Sequence, residues 1–248
     1  MLQNFESIVL IWLGIGFITF ITLLKIPAPY GKFSKTNWGP MIPSKLGWIV
    51  MEIISPLALL YFFLNGNIEK TPTNITFISL WTLHYFNRSV IYPLRQNNPA
   101  QMPLIIAVLA FLFNVMNGYI NGTYFGSIQE YSAEYMSNWN FIVGVCLFII
   151  GAYINIKSDN ILLSLRSKSG EYKIPEGFMF RYVSFPNYFG EILEWMAFAI
   201  MTWSLAGLSF MIWTMANLVP RAIKGHQWYH SKFESYPKNR KAIFPFII

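Results

Sequence analysis

An all-α membrane protein of seven transmembrane helices, folded as one domain over residues 1–248, is predicted by three observations. They are an apolar composition, seven apolar runs of spanning length, and a lopsided distribution of Lys and Arg. The chain is 54% hydrophobic and 18% aromatic, with only 12% charged residues. That is too apolar for a soluble domain, and 248 residues suit one compact helical bundle. Runs approaching the ~20 residues that a bilayer requires fall near 7–24, 46–65, 73–93, 102–121, 139–157, 188–204 and 206–223.

The first run is expected to remain as a helix, because MLQNFES has no positive n-region and no small-x-small site precedes Lys25. Glu52 lies about two turns into the second run. The third carries Tyr85 and Arg88 towards its end, spaced i,i+3 on one face. The fifth ends with Asn155 and Asp159, the sixth begins with Asn187, Glu191 and Glu194, and the seventh finishes at Arg221. Asn155/Asp159 and Asn187/Glu191 are i,i+4 pairs. Glu194 is expected to pair with a basic residue across the bundle. Cys146, the one cysteine, sits in VGVCLFIIG, which excludes an intrachain disulfide and reads as packing. Trp139, Trp203, Trp213 and Tyr135 stand near span ends as an aromatic belt, and the ending AIFPFII is expected to fold back on the membrane surface.

With the N-terminus outside, the inward segments and the helix ends beside them hold all but Lys70 of the 18 Lys and Arg. The outward loop 122–138 has Glu130 and Glu134 and no cation. The positive-inside rule then places the C-terminus in the cytoplasm, and the net charge of +7 is topological, with no nucleic-acid patch. The intramembrane polar groups converge on the cytoplasmic half. A charge at that depth costs several kcal/mol unless paired, and interhelical glue accounts less well for a whole set gathered in one half. The pattern describes a cavity open to the cytosol, taking a large polar cofactor from water and an apolar substrate from lipid.

Neither G-x-G-x-x-G after a strand nor G-x-x-x-x-G-K-[ST] occurs, so phosphates are to be held between helices. His226 and His230 have an i,i+4 spacing that metal sites use, but no acidic third ligand is near in sequence. A hydrogen-bonding or phosphate-facing role is preferred, and no metal is expected. A retinal protein would need a buried lysine, and no predicted helix interior contains one.

The segments YGK (30–32), GWIVME (47–52), HYFNRSVIYP (84–93), MPL and NGY (102–104, 117–119), GAYINIKSD (151–159), YKIPEGFMFRYVSFPNYFGEILEW (172–195), TWSL (202–205) and WYHSKFESYPKNRKAIFPF (228–246) resemble the steroid 5-alpha-reductase family. The likeness runs in order from about residue 30 to the end and has the look of a bacterial-type member. It implies a seven-helix reductase of the bacterial inner membrane or endoplasmic reticulum, a monomer whose active site opens to the cytoplasm. Such an enzyme transfers hydride from NADPH to the delta-4 double bond of a lipid-soluble 3-oxo-delta-4 steroid.

Hydride attack on the enone pushes charge onto the carbonyl oxygen, which calls for a donor poised there in a dry site. Tyr85 and Glu52 match the family's catalytic tyrosine and glutamate, and a protonated Glu52 can donate. For the cofactor the resemblance carries over onto Trp48, Arg88, Asn155, Asp159, Arg166, Tyr172, Asn187, Glu191, Arg221, His226 and Tyr229, with Tyr30 closing over it. Arginines suit the phosphates, while amides and carboxylates suit ribose and carboxamide. Met51 stands where steroid-reducing members usually have Gln, Gly225 where relatives often have a histidine beside His226, and the loop QNNPAQ lacks a basic residue found in relatives. Other lipid enones, enoyl-CoA thioesters and polyprenols are alternative substrates. A membrane lipid methyltransferase is the alternative class.

Overall fold

The computed structural model describes residues 2–96, 100–165 and 172–248. Seven long helices occupy the seven apolar runs. They are α1 (Leu2–Lys25), α2 (Ser44–Leu64), α3 (Pro72–Phe86), α5 (Leu104–Thr123), α6 (Trp139–Leu165), α7 (Pro186–Thr202) and α8 (Leu205–Lys232). Between α3 and the short α4 (Tyr92–Leu94) lies a π turn, Asn87–Ile91. A three-residue ribbon pairs β1 (Met41–Pro43) with β2 (Gln101–Pro103), antiparallel, with Ile42 opposite Met102. Among the described residues, four stretches are long and apolar enough to cross a membrane: Asn4–Lys25, Ser44–Leu64, Leu104–Ile128 and Trp139–Leu165.

Local chemistry sets the ends. Thr71 caps α3 by accepting from the Asn74 N–H, with Pro72 in the first turn, where its missing N–H costs nothing. Ser204 caps α8 through the Gly207 N–H at 2.9 Å, and Trp203, left-handed at φ 46, makes the sharp turn out of α7. Pro56 inside α2 has no N–H for the carbonyl four residues back, so the helix ladder is interrupted beside Glu52.

Close glycine contacts fix the relative directions of the helices. Gly118, Gly122 and Gly126 lie against Ala58, Leu59 and Phe63 in rising order, so α2 and α5 run parallel. Gly144 meets Met201 and Gly151 meets Gly190 and Glu194, so α6 and α7 are antiparallel. Such small-residue seams let backbones approach in a bilayer, where apolar side chains gain nothing by leaving lipid. Trp12 stacks near Trp213, with centroids 4.5 Å apart, and joins α1 to α8. Trp81, Trp195, Phe77, Phe198 and Phe210 form the aromatic heart of the bundle.

The two poles differ in chemistry. At one, Lys45 reaches the Leu94 carbonyl, Arg95 reaches Asn160 at 2.7 Å, and Arg221 reaches the carbonyls of Ala28 and Tyr30. At the other, Thr73 donates to Ser132 O and Tyr131 to Thr202 O, beside the acidic loop.

Several expectations are corrected. Trp213 is buried and donates to Trp12 O at 3.1 Å, a bond between helices that removes it from the aromatic belt. The Tyr135 hydroxyl donates to Met201 O, capping the end of α7. Trp139 and Trp203 remain exposed, edge to face at 5.8 Å. Cys146 is exposed on the outside of α6 and does not pack in the core. The tail folds back onto the chain itself: Lys241 bridges Val183, and Ile243 is fully buried, although Phe246 and Ile247 stay exposed. The third run continues through its π turn into α4, with helical backbone at both joins.

Candidate functional site

The polar groups placed by sequence meet at the basic pole, around Arg88. This residue lies in the π turn, a distortion that often marks functional positions. Its Nη1 donates to Asp159 Oδ2 at 3.3 Å, and its Nη2 is 3.8 Å from Glu191 Oε2. Trp48 and Tyr92 flank the guanidinium, with centroids at 5.6 and 5.3 Å. Asn187 donates to Asp159 Oδ1 at 3.0 Å, and Asn155 donates to the Asn187 carbonyl at 2.9 Å. Gly151 and Gly190 permit this approach, since a Cβ at Gly151 would stand 2.7 Å from Gly190 O. Within the described residues, Asn187 Oδ1, Glu191 Oε2 and Glu194 Oε1 are buried and accept no hydrogen bond. Native interiors seldom leave such atoms without a hydrogen bond, so the arrangement is set up for further polar groups.

Glu194 meets the expected basic partner, His84, at 2.8 Å, with both side chains buried. Tyr85 stacks on Trp81, and its hydroxyl donates to Asn114 Oδ1 at 3.4 Å. Glu52 is partly buried and lies in the field of Arg88 and Glu191. Glu52 and Tyr85 thus sit beside the Arg88 cluster.

A second group forms over the pole. The Arg221 guanidinium lies 3.5 Å from the Tyr30 ring centroid, donates to Tyr188 Oη at 3.1 Å, and also donates to the carbonyls of Ala28 and Tyr30. Gly31, at φ 60, takes a left-handed turn under it that suits glycine. Tyr30 meets Trp48 edge-on at 5.8 Å, which joins this group to the Arg88 cluster. Burial raises the Tyr30 phenol above its usual range, opposed by Arg221.

Farther out, His226 Nδ1 is 2.6 Å from Ser184 Oγ, and Ser184 is also 2.6 Å from the Tyr236 hydroxyl. His226 and His230 face each other, Nε2 to Nε2, at 3.2 Å. Burial, then His230, Arg240 and Lys241, push His226 down to about 4. The described residues contain no group of three metal-ligating side chains. Tyr229 stacks on Tyr236 and Tyr172 stands edge-on to Trp228. Lys32 Nζ sits 4.3 Å from the Tyr229 ring centroid. Gly225 leaves the space that the Phe185 ring fills, so no histidine side chain fits beside His226 in this packing. Arg166 lies outside the described residues.

The structure therefore gathers Tyr30, Trp48, Glu52, Tyr85, Arg88, Asn155, Asp159, Asn187, Glu191 and Arg221. Tyr172, His226 and Tyr229 form an outer group with the C-terminal tail. Asn114, His84 and Ser184 were not among the residues singled out by sequence. The one signal for Asn114 is a row of asparagines at 114, 117 and 121 along an apolar run.

Comparison with known proteins shows the family. The family model for 3-oxo-5-alpha-steroid 4-dehydrogenase matches residues 100–248. The chain is 43% identical over 238 residues to the steroid 5-alpha-reductase DET2 of Gossypium hirsutum, covering 92% of each chain. It is 37% identical over 238 residues to the 3-oxo-5-alpha-steroid 4-dehydrogenase 1 of Rattus norvegicus, across 94% of this chain and 91% of that protein. The Homo sapiens protein of the same name is 34% identical over 94% of this chain and 92% of its own length. With relatives matched over nearly their whole length, the chain belongs to the steroid 5-alpha-reductase (3-oxo-5-alpha-steroid 4-dehydrogenase) family and is an oxidoreductase.

Proposed function

We propose that this protein is a monomeric single-domain enzyme that crosses its membrane seven times, N-terminus outside. With NADPH it reduces the delta-4 double bond of 3-oxo-delta-4 steroids. The observation that carries this reading is that Asn187 Oδ1 and Glu191 Oε2, both buried near Arg88, accept no hydrogen bond. Acceptors of that kind fit the amide of a nicotinamide and the hydroxyls of a ribose, while the faces of Trp48 and Tyr30 fit flat rings. When bound, the cofactor supplies the hydride.

The remaining work falls to the chain. Arg88, fixed between Asp159 and Glu191, keeps the carboxylates oriented. Asn155 holds the Asn187 backbone in place, which keeps Asn187 Oδ1 free to accept from the cofactor. Arg221 exchanges its carbonyl partners at 28 and 30 for phosphate, assisted by Arg166, and Tyr30 closes over the mouth. His226, Tyr229 and Tyr172 line the outer approach. Hydride arrival at the beta carbon sends an electron pair to the carbonyl oxygen. Tyr85, or a protonated Glu52, donates to that oxygen, and solvent supplies the proton that ends on the alpha carbon. The steroid enters from lipid between α2, α3 and α5.

The test adds NADPH or NADH and a panel of enones to purified protein in detergent and follows nicotinamide absorbance. Oxidation of NADPH with a 3-oxo-delta-4 steroid, and little with NADH, is expected. Turnover confined to enoyl-CoA or polyprenol substrates would replace the steroid, and methyl-donor binding in place of NADPH would replace the reaction class.

A further inference from the structure

The direction of the Tyr85 hydroxyl proton is set by a residue outside the matched motifs. Asn114, on α5, is 3% exposed and makes two bonds. Its Nδ2 donates to the Met51 carbonyl at 2.6 Å, and its Oδ1 lies 3.4 Å from the Tyr85 hydroxyl. The amide orientation follows from chemistry alone. A main-chain carbonyl only accepts, so the nitrogen must face Met51. That turns the amide oxygen to Tyr85, and an oxygen there also only accepts, so the phenol must be the donor. The phenol proton is thereby aimed at Asn114, with its lone pairs to the other side.

The anchor is well placed. Met51 and Glu52 sit where Pro56 interrupts the α2 ladder, and Ser55 in the same turn accepts from Trp81 Nε1 at 3.1 Å, which fixes the ring on which Tyr85 stacks. One amide therefore ties the turn bearing Glu52 to the hydroxyl of Tyr85. The two bonds differ in strength: 2.6 Å is short for N–H···O, whereas 3.4 Å lies well beyond the usual O–H···O distance of about 2.7–2.8 Å. The hydroxyl is oriented without being held tightly, so a carbonyl arriving from a substrate takes over its proton at little cost.

We infer that Asn114 is the positioning residue for the Tyr85 hydroxyl: it parks the phenol proton while the site is empty and gives it up to the substrate carbonyl. The inference rests on the reading of Tyr85 as the donor. It accounts for an asparagine buried in an apolar helix at this depth, where an unpaired amide would be costly.

A double-mutant cycle with Tyr85→Phe and Asn114→Leu tests it, using kcat for a 3-oxo-delta-4 steroid and NADPH affinity by fluorescence quenching. Asn114→Leu is expected to lower kcat about tenfold, a loss in keeping with a misplaced catalytic group, without changing NADPH affinity. Combined with Tyr85→Phe it should add nothing, because the hydroxyl it serves is gone. If the two losses multiply, or Asn114→Leu turns over at the parent rate, the inference is overturned while Tyr85 remains the donor. If Tyr85→Phe itself keeps the parent rate, the catalytic reading falls and the inference with it. Should Asn114→Leu not fold, judged by melting in detergent, Asn114→Ala in the same cycle carries the same two outcomes.

Discussion

Arg88 shows how one side chain is set between packing and chemistry. Its guanidinium faces two carboxylates and two aromatic rings, and removing it takes the cation away from Asp159 and Glu191. Breaking a buried pair from one side typically costs about 3–5 kcal/mol. Arg88→Leu is therefore expected to lower the melting temperature in detergent and abolish NADPH binding, whereas Tyr85→Phe should leave both intact. For Tyr85→Phe the loss belongs in turnover, about a hundred- to a thousandfold if it removes one donor to the developing oxyanion. Glu52→Gln, which keeps a donor, should retain more activity than Glu52→Ala. His226 gives a pH dependence of known sign. Its value falls from 6.5 to about 4 on folding, so the unfolded chain takes up a proton first as pH drops. The stability it contributes is complete above about pH 6.5, shrinks as pH falls towards 4, and loses no more below that. Melting curves of the parent and of His226→Gln should diverge above pH 6.5 and converge near pH 4.

At the scale of elements, the seams decide what a substitution does. A Cβ on Gly122 would lie 2.6 Å from Leu59 O, whereas one on Gly14 meets nothing within 4 Å. Gly122→Val should therefore sharply lower the melting temperature and the yield of folded protein, and Gly14→Ala should be neutral or slightly stabilising. The seven long helices were legible because hydrophobic runs of spanning length state the existence of a helix directly. The convergence of Glu52, Arg88, Asp159, Asn187 and Glu191 was legible because polar residues in such runs are few and their depth follows from helix direction. Other features left no such trace. The π turn at 87–91 follows no pattern in the local sequence. The ribbon β1–β2 is three residues long and pairs segments far apart in sequence. Trp213 read as an interfacial residue because its partner, the carbonyl of Trp12, lies on another helix.

The whole molecule has a direction that helix packing and charge both express. α1 runs parallel to α8, α2 to α5, and α7 opposes α6, a set of directions that follows if each long helix reverses the one before it in the chain. One pole then collects Lys25, Lys45, Arg95, Arg221 and the basic tail, and the other collects Glu130 and Glu134. The orientation proposed above puts the basic pole in the cytosol by the positive-inside rule, and with it the Arg221 and Arg88 groups on the side where the proposed cofactor would be found. The orientation can be measured because the chain has one cysteine, Cys146, exposed on α6. With Cys146→Ser as background, single cysteines at Glu130 and at Lys238 report the two poles. In sealed cells or right-side-out vesicles, a membrane-impermeant maleimide should label Glu130→Cys and spare Lys238→Cys, and inverted vesicles should exchange the two results. Labelling of Lys238→Cys from outside would reverse the topology. It would place the cofactor site on the side without NADPH, so the proposed reaction and the proposed orientation stand together in this experiment.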